Sequence, residues 1–150
     1  MPVRLTWLVP EKVIFCQLAG DLSLLDYDQY VAQVEYYVVQ CSGAVHFVQD
    51  LRLVTRPTLN LADIRKFMRL VNKNTGWYLA FGRYDHALLG FLTGAAARIL
   101  GVRMHPIFRD YASLRTFLLQ LDSTLELPLE APELFSEKDF LLTPDAVIQR

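Results

Sequence analysis

Apolar side chains recur at every second position in VRLTWLV (residues 3–9), and a β-rich run, VIFCQLA (13–19), follows after Pro10-Glu11-Lys12. A period of two over such lengths predicts two strands, and the short break containing proline predicts a hairpin between them. The period then lengthens. Asp26, with Gln29 three residues on, marks a helix start for residues 27–41, where Tyr27, Tyr30, Val31, Val34, Tyr37, Val38 and Cys41 form one stripe. Tyr36 and Val39 fall outside that stripe. Ser42-Gly43 ends the helix, residues 44–49 read as a short buried strand, and 50–57 as a loop. Thr58 or Asn60 caps a second amphipathic helix reaching about Lys73, which Asn74-Thr75-Gly76 closes. A fourth strand over 77–81, a third helix over 86–100 ended by Gly101, and a fifth strand over 102–109 follow. Pro106 within the last strand predicts an edge or a bulge. Asp110 caps a final helix, 111–121, with Leu114, Phe117, Leu118 and Leu121 facing a core.

The order ββαβαβαβα predicts an α/β domain: four helices on a five-stranded mixed sheet, largely parallel, with the opening hairpin adding one antiparallel strand. With the blocks AVHFVQD, TGWYLAFG and HPIFRDYASLRTFLLQL, this order resembles the STAS superfamily. Those are the domains of anti-sigma factor antagonists and sulfate-transporter tails, and the chain looks like an uncharacterised bacterial branch of them over residues 3–121. The resemblance implies a single STAS-like domain and a non-enzymatic regulatory module that binds a protein. Antagonists of that superfamily carry an Asp-Ser-Ser or Asp-Ser-Thr phosphorylation motif at the entry to the second helix, where this chain has Pro57-Thr58-Leu59-Asn60. The serine is absent, so Thr58 is the candidate phosphorylation site in its place and Thr55 a second, although threonine after proline at a helix start also reads as an N-cap.

Composition adds a division that the net charge of −1 conceals. Through Leu121 there are 13 bases and 9 acids, and beyond it 2 bases and 7 acids, so a basic body (1–121) precedes an acidic, proline-containing tail (122–150). The tail contains LELPLEAPELF, too apolar for a solvated linker, so part of it is expected to lie on the domain or on a second copy. No apolar run is long enough to span a bilayer and the start lacks the features of a secretion signal, which predicts a cytoplasmic protein. Cys16 and Cys41 show no metal spacing and read as buried free thiols.

No pattern of catalytic residues emerges. Gly90 and Gly94 lie four apart inside a helix rather than in a phosphate-binding turn, and GxSxG, HExxH and paired carboxylates are missing. His46 and His105 lack cysteine or carboxylate companions and read as hydrogen-bonded strand histidines; no metal or cofactor is expected. Two surfaces do carry a signal. Arg65, Lys66, Arg69 and Lys73 fall within about 100° of one helix face, and with Arg52 and Arg56 they make residues 51–73 six bases against one acid, Asp63. Such a face suits an acidic protein partner, an anionic membrane surface or the chain's own tail; nucleic acid fits it poorly, since no aromatic interleaves the bases. On the third helix, Gly90, Thr93, Gly94 and Ala97 form a small-residue face where lysine or glutamate would be usual. A second copy, giving a homo-oligomer, a partner helix, the tail or an apolar ligand such as a lipid would cover it, and small-molecule or lipid binding is the alternative function.

Overall fold

The computed structural model describes residues 3–22, 34, 36–57, 62, 74–82, 98, 101 and 103–134. Five strands form one mixed sheet whose spatial order equals the chain order: β1 (Val3–Val9), β2 (Val13–Leu22), β3 (Val45–Pro57), β4 (Thr75–Phe81) and β5 (Arg103–Met104). β1 runs antiparallel to β2, and every later neighbour is parallel. The predicted hairpin is present. Its turn places Glu11 at φ 58°, and the Lys12 amide donates to the Val9 carbonyl at 3.1 Å.

Strand alternation sorts the side chains onto two cores. One face gathers Val3, Leu5, Ile14, Cys16, Leu18, Val45, Phe47 and Tyr78 under Val38 and Cys41, with Val34 and Tyr37 against them. These last four belong to the stripe predicted for the first helix, whose residues 36–40 are helical here. The other face gathers Val13, Phe15, Val48, Leu79 and Phe81 under the Tyr111–Leu121 helix, which contributes Tyr111, Leu114 and Leu118. Asp110 caps that helix as predicted, its carboxylate accepting from the Ser113 amide and hydroxyl, each at 2.8 Å.

Two boundaries differ from the sequence reading. Residues 50–57, read as a loop, continue β3, because β2 runs on to Leu22 and offers ladder partners as far as Pro57. The charges of Asp50, Arg52 and Arg56 suggested a loop, yet the first two neutralise each other within the sheet. Register shifts after Gln17 and after Gly20 place an extra β3 residue against β2 each time. Through such irregularities Leu51 and Val54, three apart, both reach the same core. At the other edge, β5 is shorter than predicted. Pro106 has no amide hydrogen to donate, and pairing resumes only as a single bridge between Phe81 and Phe108.

Past the helix, the Asp122 amide donates a hydrogen bond to the Leu118 carbonyl at 2.9 Å and closes the last turn, and the chain then runs back across the sheet. Leu125 and Leu127 are buried in the second core. The predicted second and third helices lie outside the described residues, apart from Ala62 and Arg98, both exposed and helical. Among the described residues no helix is long and apolar enough to cross a membrane.

Candidate functional site

One row of residues crosses the whole sheet on the face of the Tyr111–Leu121 helix. Ladder partners link Arg4 to Gln17, Gln17 to Asp50, Asp50 to Phe81, and Phe81 to Phe108. In the middle of this row stand two polar side chains that the sheet takes out of water, Gln17 at 2% exposure and Asp50 at 1%. Burial of a carboxylate is costly unless it is paired and hydrogen-bonded. Asp50 is both. Arg52 grips it in a fork, with Nε 2.9 Å from Oδ1 and Nη2 2.7 Å from Oδ2, while the Arg52 amide donates to Oδ1 at 3.1 Å. Gln17 Nε2 donates to Oδ2 from the other side at 3.1 Å. The Arg52 guanidinium also lies 5.3 Å from the centroid of the Phe81 ring, close enough for a cation–π contact.

The tail closes this cluster. Pro132 and Glu133 present backbone carbonyls to it: Gln17 Nε2 donates to Glu133 at 3.0 Å and to Pro132 at 3.5 Å, and Arg52 Nη2 donates to Pro132 at 3.2 Å. Four residues before Pro132, the Pro128 carbonyl accepts from the Tyr111 hydroxyl at 3.0 Å and from Arg115 Nε at 3.1 Å. Burial pushes the Tyr111 phenol up to about 12, so it remains a donor throughout the neutral range. Proline carbonyls suit this clasp, since a residue with no amide hydrogen leaves one fewer backbone donor to satisfy.

One atom in the cluster lacks a partner. Gln17 Oε1 is buried without a hydrogen bond, an omission that costs about 1–3 kcal/mol for a neutral acceptor. Between β1, β2 and the tail lies a cavity of about 390 Å³ lined by Arg4, Thr6, Trp7, Leu8, Phe15, Gln17, Pro128, Pro132 and Glu133.

Of the residues singled out in the sequence, Arg52 sits in this cluster, half-buried and committed to Asp50. Arg56 lies near the end of β3, opposite Asp21 in the ladder. Thr55 is exposed there, and its hydroxyl donates to Asp21 Oδ1 at 2.6 Å. Arg65, Lys66, Arg69, Lys73, Gly90, Thr93, Gly94, Ala97 and Thr58 lie outside the described residues. The histidines stand apart from one another in role. His46 Nδ1 accepts from the Trp77 amide at 3.0 Å, whereas His105 stacks on Phe108 with centroids 4.1 Å apart. Gln17 and Asp50 were missed in the sequence, although a lone amide inside VIFCQLA was a visible signal of a buried polar site.

No protein-family model and no curated protein sequence matches the chain. Solved structures do. An uncharacterised protein of the DUF3478 family from Shewanella loihica, described as having a SpoIIAA-like fold, superposes with a TM-score of 0.53 at 17% identity, over 71% of this chain and 83% of its own. The anti-sigma factor antagonist SpoIIAA in its unphosphorylated form superposes with a TM-score of 0.50 at 12% identity, over 83% of this chain and 99% of its own. The fold is SpoIIAA-like. This agrees with the STAS-like domain expected from the element order, and at these identities the likeness concerns architecture.

Proposed function

We propose that this chain is a non-enzymatic, cytoplasmic regulatory module that works by docking a protein partner. The observation that carries the reading is the superposition on an anti-sigma factor antagonist along nearly its whole length. A second observation supports a docking surface. Tyr36 and Val39 are 65% and 57% exposed on the outer side of helical residues 36–40, whose inner side is buried in the first core. Large apolar side chains displayed together suit a partner with an apolar patch. Arg56, Arg65, Lys66, Arg69 and Lys73 supply the basic counterpart in this proposal, Arg52 being held by Asp50.

In the proposed module the usual phosphoserine is replaced by Thr58 or Thr55. At Thr55 the neighbouring Asp21 carboxylate would repel a phosphate, so modification there would push the ends of β2 and β3 apart. Self-association through Gly90, Thr93, Gly94 and Ala97 is the competing use of the helical surface.

The test is affinity capture from the native cell extract at low and high salt, with wild type, Val39→Asp and Arg65→Glu/Arg69→Glu compared. A stoichiometric protein retained by wild type at low salt and lost with either variant is the expected result. Equal recovery with all three, or recovery of the chain alone, would overturn the reading in favour of self-association.

A further inference from the structure

We infer that the segment Asp139-Phe140-Leu141-Leu142-Thr143 of this same chain docks along the outer edge of β1, and that Phe140 fills the cavity between β1, β2 and the tail. β1 ends the sheet on its side, and from Leu5 onward no further strand lies against it among the described residues. The two edges of the sheet differ. β5 is two residues long with Pro106 just beyond, whereas Val3–Trp7 pairs with β2 in unbroken register. A regular edge of that length is a template for another strand, and folded proteins blunt or cover such edges.

The cavity adjoins this edge. Thr6, Leu8 and Phe15 line it from the sheet, and Pro128 and Pro132 from the tail. The tail around it displays apolar side chains of its own, Leu129 at 79% and Leu134 at 45% exposure. A space of about 390 Å³ with such a rim suits a large apolar side chain with room left for water. The chain beyond Leu134 supplies one. It departs one residue past the carbonyl that Gln17 holds, level with the start of β1, since Gln17 is the ladder partner of Arg4. From that level to Leu8 is about 13 Å at the strand rise, and the residues from Leu134 to Phe140 can span about 20 Å. Phe140-Leu141-Leu142 is the first apolar run after Phe135, bounded by Asp139 and by Thr143-Pro144, where proline ends a strand. Laid parallel to β1 with a period of two, Phe140 and Leu142 cover the cavity side and Leu141 the opposite face.

The inference is independent of partner docking, because the helical residues bearing Tyr36 and Val39 cover the opposite face of the sheet. Nuclear magnetic resonance of the full chain tests it. Expected are nuclear Overhauser contacts between the Phe140 ring and the Leu8 methyl groups, and slow hydrogen exchange at those amides of Leu5–Leu8 that point away from β2. Phe140→Asp/Leu142→Asp should speed exchange at these amides about tenfold or more, with β3 and the Tyr111–Leu121 helix unchanged. Contacts absent from the wild type overturn the inference whatever the variant does, as does equal exchange in the two proteins. Protection of Leu5–Leu8 that declines on dilution, with the mass of a dimer by light scattering, overturns it in favour of a second copy on the same edge.

Discussion

The ring of His46 occupies the space that a side chain at position 76 would need. A Cβ built on Gly76 would lie 2.5 Å from His46 Nδ1 and 2.9 Å from the Val45 carbonyl oxygen. Glycine here lets β4 approach β3 closely enough for the Trp77 amide to reach the imidazole. Gly76→Ala is expected to destabilise the domain by about 1–3 kcal/mol, measured by urea denaturation. His46→Ala in the same background should recover part of the loss, because the ring is one of the two obstacles.

The same histidine sets a pH dependence. Burial lowers the pKa of His46 below its ordinary 6.5, Arg103 lowers it further, and Asp122 opposes them in part. A neutral Nδ1 must also remain an acceptor for Trp77. As pH falls from about 6.5 towards the folded-state value, the unfolded chain takes up a proton that the folded chain refuses, so stability decreases across that window. The midpoint of urea unfolding should therefore fall between neutral pH and pH 5, and His46→Gln should flatten that slope. An unchanged slope in the variant would assign the effect elsewhere.

Asp50 and Arg52 are unequal partners. Asp50 is 1% exposed at its side chain and Arg52 31%, so Arg52 can turn to water when its partner is lost and Asp50 cannot. Arg52→Met is expected to cost about 3 kcal/mol by stranding a buried carboxylate, and Asp50→Leu less. The double variant should recover most of the stability that Arg52→Met loses. Chemical denaturation of the three variants checks the order, and strict additivity would contradict the pairing.

The segment after the last helix is part of the core. Leu125→Ala and Leu127→Ala should each cost about 2–5 kcal/mol, as for core leucines, because both are buried against the second face. Tyr111→Phe removes only the hydroxyl donor to the Pro128 carbonyl and should cost about 1 kcal/mol. A cost near zero for both leucines, read from thermal or urea unfolding, would mean that this segment is not held on the sheet.

The sequence made legible what is local. The period of two in VRLTWLV and VIFCQLA identified the hairpin, and Asp110 ahead of the Leu114 and Leu118 stripe identified the final helix nearly to the residue. Pro106 marked the weak edge strand for the same reason that β5 is short. The far half of β3 was not legible, because Asp50 and Arg52 look solvated until the ladder brings Gln17 beside them from 33 positions away. Likewise, no local pattern reveals that the carbonyls of Pro132 and Glu133 lie over Gln17; that contact joins residues 115 and 116 apart in sequence. The acidity of the tail was visible, whereas the attachment of its described residues rests on backbone oxygens and two leucines, with one charged contact from Asp122 to Lys12 at 3.7 Å.

The coincidence of spatial and chain order in the sheet has a consequence for synthesis. Each strand finds its neighbour in the strand made just before it, so the sheet can grow one edge strand at a time as the chain emerges. The clasp on Gln17 departs from that rule, since it must wait until residue 133 has been added. Loop closure over so many residues makes it a late step in refolding as well. Until then the amide of the second strand and the guanidinium that holds the carboxylate of the third lack the tail carbonyls that meet them in the finished domain.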